Sequence, residues 1–137
     1  MEYRVVPDLN EEESKLVRDG LDEYNARFTE PVNFSEIGLA LRGESGEIHG
    51  GLIGSVHWGW LHIHVLWVSD SLRGQGHGTA LLQTCERIAQ DRGCRFAKLH
   101  TFDFQAPRFY ASHGYKVISE TNGFPEGRVQ FLMFKEL

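Results

Sequence analysis

Apolar residues fall at helical spacing in two stretches of the chain, and in short β-like runs between turn residues elsewhere. Leu16, Val17, Leu21, Tyr24 and Phe28 predict one amphipathic helix over residues 11–28. Asn10 stands at its N-cap with Glu13 at the capping-box position, and the acidic first turn suits the positive end of the helix dipole. Leu81, Leu82, Cys85, Ile88 and Ala89 mark a second helix over 77–92, stopped by Gly93. Residues 2–6, closed by Pro7, read as a first strand. Residues 37–42, 47–57 and 61–69, separated by short turns, read as an antiparallel meander. A strand over 95–102 follows, then a short helix with Pro107 in its first turn and His113-Gly114 at its end. Two last strands, 115–120 and 129–135, flank a turn-rich loop over 121–127. With no linker, repeat or low-complexity stretch, residues 1–137 read as one mixed α/β domain.

Composition narrows the function classes. The chain has 137 residues with 14 Lys+Arg and 19 Asp+Glu, a formal charge of −5, which argues against a nucleic-acid partner. Apolar residues make up 41% and charged residues 24%, a balance that argues against disorder. No long apolar run predicts a membrane span, and the polar start MEYRVVPDLN does not read as a signal peptide. Two cysteines, Cys85 and Cys94, make no disulfide framework, so a reducing, cytoplasmic setting is expected.

The most informative segment runs from Leu66 through Arg73-Gly74-Gln75-Gly76-His77-Gly78-Thr79 to Leu82: a strand, a glycine-rich turn and a helix start. Glycines expose backbone N–H groups without Cβ obstruction, and a helix N-terminus adds unpaired donors and a positive dipole end. Together they suit a phosphate or pyrophosphate. A P-loop is excluded, because Gly78 is followed by Thr79-Ala80 without a lysine. A dinucleotide fingerprint is excluded as well, because Thr79 stands where its third glycine belongs and an antiparallel meander feeds the turn. A tight turn without a ligand stays open on the glycines alone.

Arg73-x-x-Gly76-x-Gly78, after an apolar strand ending in Val68, resembles the acetyl-CoA motif of the GNAT N-acetyltransferases. Further on, Asp103-x-x-Ala106-x-x-x-Tyr110-x-x-x-Gly114-Tyr115 is similar to that family's second motif, with Asp103 where Asn is usual and Tyr115 where Phe is usual. The element order matches too, so the resemblance covers nearly the whole chain. It implies a GNAT-like α/β (α+β) fold: a mostly antiparallel sheet flanked by helices, with strands 61–69 and 95–102 splayed apart. It also implies acetyl-CoA as cosubstrate, with no metal. The N–H groups of Gly74, Gln75, Gly76, His77, Gly78 and Thr79, with Arg73, would hold the pyrophosphate. The strand edge at Leu66, Trp67 and Val68 would pair with the pantetheine arm, Asp103 would touch that arm, and a backbone N–H near Leu66 would polarise the acetyl carbonyl.

The same resemblance implies that Tyr110 protonates the departing thiolate; a core aromatic beside Phe109 is the alternative. His62 and His64 lie two apart on one strand and so point to one face, and histidine suits base work near neutral pH. Their strand is similar to that of arylalkylamine N-acetyltransferases, where paired histidines help deprotonate the amine. Ordinary surface histidines, a metal pair lacking a third ligand, and substrate binding stay open, as do Glu47, Asp70 and Glu120 as bases. Trp58, Trp60 and Trp67 read as core or interface residues or an aromatic cage, and the 122–127 loop as a border of the acceptor site or a plain hairpin. The expected activity is direct acetyl transfer to a primary amine, on a small molecule or a lysine side chain. A non-catalytic acyl-CoA sensor and an interaction protein with a merely structural glycine turn are the alternatives. A homodimer is expected from the resemblance.

Overall fold

The computed structural model describes residues 1–137, in two compact units, Met1–Val32 and Asn33–Leu137. The first unit holds helix α1, Glu11–Asn25. The Asn10 side chain accepts from the Glu13 N–H at 2.8 Å, and the Glu13 carboxylate accepts from the Asn10 N–H at 3.0 Å, so the capping box forms as the sequence predicts. The helix ends before residue 28. The Asn25 carbonyl accepts from the N–H of Phe28 at 2.9 Å and from that of Thr29 at 3.2 Å, which closes a tight turn. The strand expected over residues 2–6 is absent. Its two β-branched residues follow charged and polar ones and carry no ladder partner; propensity without a partner makes no strand.

The second unit is a six-stranded sheet with two α-helices. Strands β1 (Ser35–Arg42), β2 (Ile48–His57) and β3 (Trp60–Val68) form the antiparallel meander. A 3-10 turn, Asp70–Leu72, leads to α2 (His77–Asp91). Then come β4 (Phe96–Phe102), α3 (Pro107–Ser112), β5 (Lys116–Asn122) and β6 (Val129–Glu136). The strand order is β1-β2-β3-β4-β6-β5, antiparallel except for β3 beside β4. Cys94, placed by its sequence at a strand start, is buried in the loop just before β4.

Leu81, Leu82, Cys85 and Ala89 turn the apolar stripe of α2 onto β1, β2 and β3. Leu52, Leu61, Leu82, Leu99 and Met133 are fully buried, each worth about 1.5–3 kcal/mol of transfer free energy. Glu86 shares that buried face. Its carboxylate accepts from the Tyr115 hydroxyl at 2.8 Å and pairs with the Lys135 ammonium at 3.0 Å, which satisfies a charge the core would otherwise reject.

Two irregularities in β3 shape the site. Its register with β2 jumps from Ile53↔Val65 to Gly54↔Ile63, so His64 is the extra residue of a β-bulge. Leu61 and Ile63 before the bulge, and Leu66 and Val68 after it, therefore all pack on the core despite their mismatched parity. The parallel pairing of β3 with β4 also stops early. It runs from Trp60↔Phe96 to Ile63↔Leu99 and no further, so the two strands splay as the resemblance implied.

Candidate active site

Between the end of β3 and α2 the backbone turns through Gly74 at φ +74° and Gly76 at φ +89°. This is the left-handed region, which costs other residues roughly 1–2 kcal/mol. A Cβ at either glycine would meet nothing within 4 Å, so open space lies over the turn. At Gly78 a Cβ would stand 3.4 Å from the Phe109 ring, which fixes how closely α3 approaches the start of α2. Gly76 is the N-cap of α2 and brings no capping side chain, so the first N–H groups of the helix are free for an anion.

Side chains brace this cradle. The Arg73 Nε donates to the Val68 carbonyl at 3.1 Å and its guanidinium pairs with Asp70 at 2.9 Å. Gln75 donates to the Ser71 carbonyl at 3.2 Å. Thr79 Oγ1 and His113 Nε2 lie 3.0 Å apart, a bond that ties the first turn of α2 to the end of α3.

Two cavities meet at this point. The smaller, about 350 Å³, lies over the cradle and is lined by Arg73, Gly74, Gly76, His77, Gly78 and Thr79, with Leu66, Val68 and Phe109 nearby. The larger, about 710 Å³, fills the gap between the diverging strands. Residues 63–68 form one wall, including His64, Leu66, Trp67 and Val68, and residues 99–102 form the other, including His100. Tyr110 lines both. Its ring is 7% exposed, and burial raises the hydroxyl pKa to about 12, with no hydrogen bond contributing. The open cradle and the free β3 edge fit a ligand with a diphosphate and an extended amide arm.

His62 and His64 do share a face, with ring centroids 4.1 Å apart. Of the two, His64 lines the larger cavity; its Nε2 is 2.8 Å from the buried Ser55 hydroxyl. His62 lines neither cavity and is half-buried, and burial with the neighbouring His64, Lys98 and His100 lowers its pKa from 6.5 to about 4. Two residues implied by the resemblance lie outside the cavity walls. Gln75 is folded back on its own turn, and the Asp103 carboxylate points toward Arg128 at 3.8 Å. The alternative bases do not join the site either: Glu47 pairs with His49, Asp70 pairs with Arg73, and Glu120 is exposed on β5. Trp67 lines the larger cavity, Trp60 stacks on Phe96, and Trp58 sits at a hairpin tip. No group of three or more His, Cys, Asp or Glu residues could hold a metal ion.

Sequence reasoning left out His100, Phe102 and Gln130, which also line the larger cavity. The available signal was alternation: with Ala97, Leu99 and Thr101 buried, Lys98, His100 and Phe102 take the opposite face of β4.

An open glycine turn at a helix N-terminus, beside a strand edge freed by splaying, is the arrangement expected of an acyl-CoA-dependent transferase. The family model "Acetyltransferase (GNAT) family" matches residues 4–115, and the chain belongs to that family. It is an acetyltransferase, with acetyl-CoA as its cosubstrate. Blasticidin-S acetyltransferase of Streptomyces morookaense is 43% identical over 96 residues, 69% of this chain and 71% of that protein. An acetyltransferase of Agrobacterium fabrum is 34% identical over 118 residues, 85% of each chain. The crystal structure of an acetyltransferase from Bacillus cereus superposes with a TM-score of 0.90 at 33% identity, covering 98% of both chains. No helix is long and apolar enough to cross a membrane.

Proposed function

We propose that the protein acetylates a primary amine on a small molecule by direct transfer, with Tyr110 as the acid and the His62/His64 pair as the acceptor of the amine proton. The observation that carries this reading is that Tyr110 lines both the cradle cavity and the interstrand cavity. A thioester laid from the cradle along the β3 edge brings its sulfur toward that hydroxyl. An ammonium acceptor must lose two protons overall: one frees the lone pair, and the other is matched by the proton that the leaving thiolate gains. As the amine nitrogen bonds to the carbonyl carbon and the C–S bond breaks, the electron pair leaves on sulfur and the Tyr110 hydroxyl protonates it. Because burial holds that hydroxyl protonated at working pH, it is suited to acid rather than base work. A backbone N–H near Leu66 stabilises the developing oxyanion.

The first proton goes to the histidine pair, directly or through water. His62 is neutral near pH 7, since its pKa lies at about 4. His64 is held by Ser55, so its ring is oriented before the amine arrives. A small-molecule acceptor is favoured by the likeness to blasticidin-S acetyltransferase. Two buried free cysteines agree with a reducing, cytoplasmic setting.

The test is release of CoA thiol from acetyl-CoA with a panel holding blasticidin S, simple arylalkyl and alkyl amines, amino acids and a lysine peptide. Amine-dependent release with a small amine supports the reading. Release that is fastest with the peptide overturns the small-molecule assignment. Release indifferent to every amine overturns transfer.

A further inference from the structure

We propose that His113 is a positioning residue for the acid: its side-chain bond to Thr79 sets where the Tyr110 hydroxyl stands against the thioester sulfur. The inference rests on the reading of Tyr110 as the acid and names what holds that group in place. The hydroxyl does not hold itself. Burial raises its pKa with no hydrogen bond contributing, so the hydroxyl stands wherever α3 stands.

Alone, α3 is a weak anchor. It has six residues, Pro107–Ser112, and no side chain caps its N-terminus. A helix that short is not stable by itself in water, so its neighbours must place it. The Tyr110 carbonyl accepts from the His113 N–H at 3.0 Å and from the Tyr115 N–H at 3.1 Å, so these two residues carry the backbone of the acid. Each is stapled to α2 by its side chain. His113 Nε2 lies 3.0 Å from Thr79 Oγ1, and the Tyr115 hydroxyl donates to Glu86 at 2.8 Å. Thr79 and Glu86 stand two turns apart on one face of α2.

The two staples lie in different surroundings. Glu86 is buried and also pairs with Lys135, so its loss reads out in stability. The Thr79 staple sits at the cradle. The first backbone bond of α2 runs from the Ala80 N–H to the Gly76 carbonyl at 3.0 Å, which leaves the Thr79 N–H free. The residue whose hydroxyl grips the end of α3 thus also presents a donor to the diphosphate. Phe109 completes the link. Its ring centroid is 4.8 Å from that of His113 and 5.2 Å from that of Tyr110, and a Gly78 Cβ would stand 3.4 Å from the ring. A short run of contacts, Thr79 to His113 to Phe109 to Tyr110, therefore joins the anion site to the proton donor.

The experiment measures single-turnover release of CoA thiol from pre-bound acetyl-CoA, with the panel amine that the wild type turns over fastest. His113→Phe keeps a ring against Phe109 and deletes the nitrogen. Thr79→Val keeps the shape and deletes the hydroxyl, and Thr79→Ser keeps the hydroxyl. Each is made in the wild-type and in the Tyr110→Phe background. We expect His113→Phe and Thr79→Val to slow the step about 10–10²-fold, the scale of a misplaced reacting group, with Thr79→Ser close to wild type. Acetyl-CoA affinity by calorimetry should stay unchanged. In the Tyr110→Phe background neither change should slow the step further, because the group they position is gone. Equal slowing in both backgrounds, weakened acetyl-CoA binding, or a Thr79→Ser as slow as Thr79→Val marks a structural role and overturns the inference. A wild-type rate in a folded His113→Phe or Thr79→Val, with Tyr110→Phe slow, overturns it too and leaves the acid standing. If His113→Phe fails to fold, Thr79→Val with its serine control carries the test. If Tyr110→Phe itself keeps the wild-type rate, or no panel amine is turned over, the reading of Tyr110 as the acid falls and takes this one with it.

Discussion

Replacing Tyr110 with phenylalanine deletes one oxygen and little else. The ring packs edge-to-face on Phe109 at 5.2 Å and on Tyr115 at 5.8 Å, and phenylalanine keeps both contacts. Burial alone raises the hydroxyl pKa to about 12, so no hydrogen-bond partner is stranded when it goes. Stability should therefore stay within about 1 kcal/mol of wild type. The rate should not. Loss of a general acid costs about 10²–10⁴-fold, or about 3–5 kcal/mol of barrier at 1.36 kcal/mol per tenfold. A donor that stays protonated throughout the usual assay range contributes no basic limb there, so the variant should be slower at every pH with an unshifted profile. The assay is single-turnover release of CoA thiol from pre-bound acetyl-CoA after mixing with amine, which separates chemistry from product release. Acetyl-CoA affinity is measured beside it by calorimetry. An unchanged single-turnover rate refutes the acid assignment. A rate loss matched by an equal loss of acetyl-CoA affinity refutes it too, by making Tyr110 a binding residue.

Gly76→Val forces a β-branched residue to φ +89° and puts methyl groups into the open space of the cradle. It should cost roughly 1–2 kcal/mol of stability and abolish CoA binding by calorimetry while circular dichroism stays native; a folded variant that binds CoA normally would place the cradle elsewhere. His62→Gln/His64→Gln should lose the acidic limb of the pH–rate profile. It should also flatten the pH dependence of thermal stability, because His62 binds its proton at about 4 when folded and at 6.5 when unfolded. In that window the unfolded wild type holds more protons, so wild-type stability falls as pH drops from 6.5 toward 4. Melting curves at both ends of the window check the sign, and an equal slope in the variant would contradict it. Glu86→Ala strands the Lys135 ammonium and the buried Tyr115 hydroxyl; urea unfolding should show a loss of about 3 kcal/mol, and a loss near zero would mean that the network is solvated.

Local chemistry wrote much of this fold into the sequence. The Asn10/Glu13 capping box, the apolar stripe of α2, Pro107 at the start of α3 and the glycines of the cradle act over a few residues, and each formed where the pattern put it. Non-local choices were hidden. The pattern at residues 2–6 reads as a strand, but a strand exists only where an edge pairs with it. Glu86 sits on the apolar face of α2, a position that makes sense only once β6 brings Lys135 to it from 49 residues away. The bulge at His64 is the clearest case. Simple alternation puts His62, His64, Leu66 and Val68 on one face, and nothing in the chain marks the register slip that divides them. That slip, with the early end of β3–β4 pairing, turns two histidines outward, returns the leucine and valine to the core, and brings in His100 from another strand. Sequence determined which residues could do chemistry, because composition and spacing are local. Tertiary structure decided which of them meet, because register and strand divergence are set by the packing of the whole sheet.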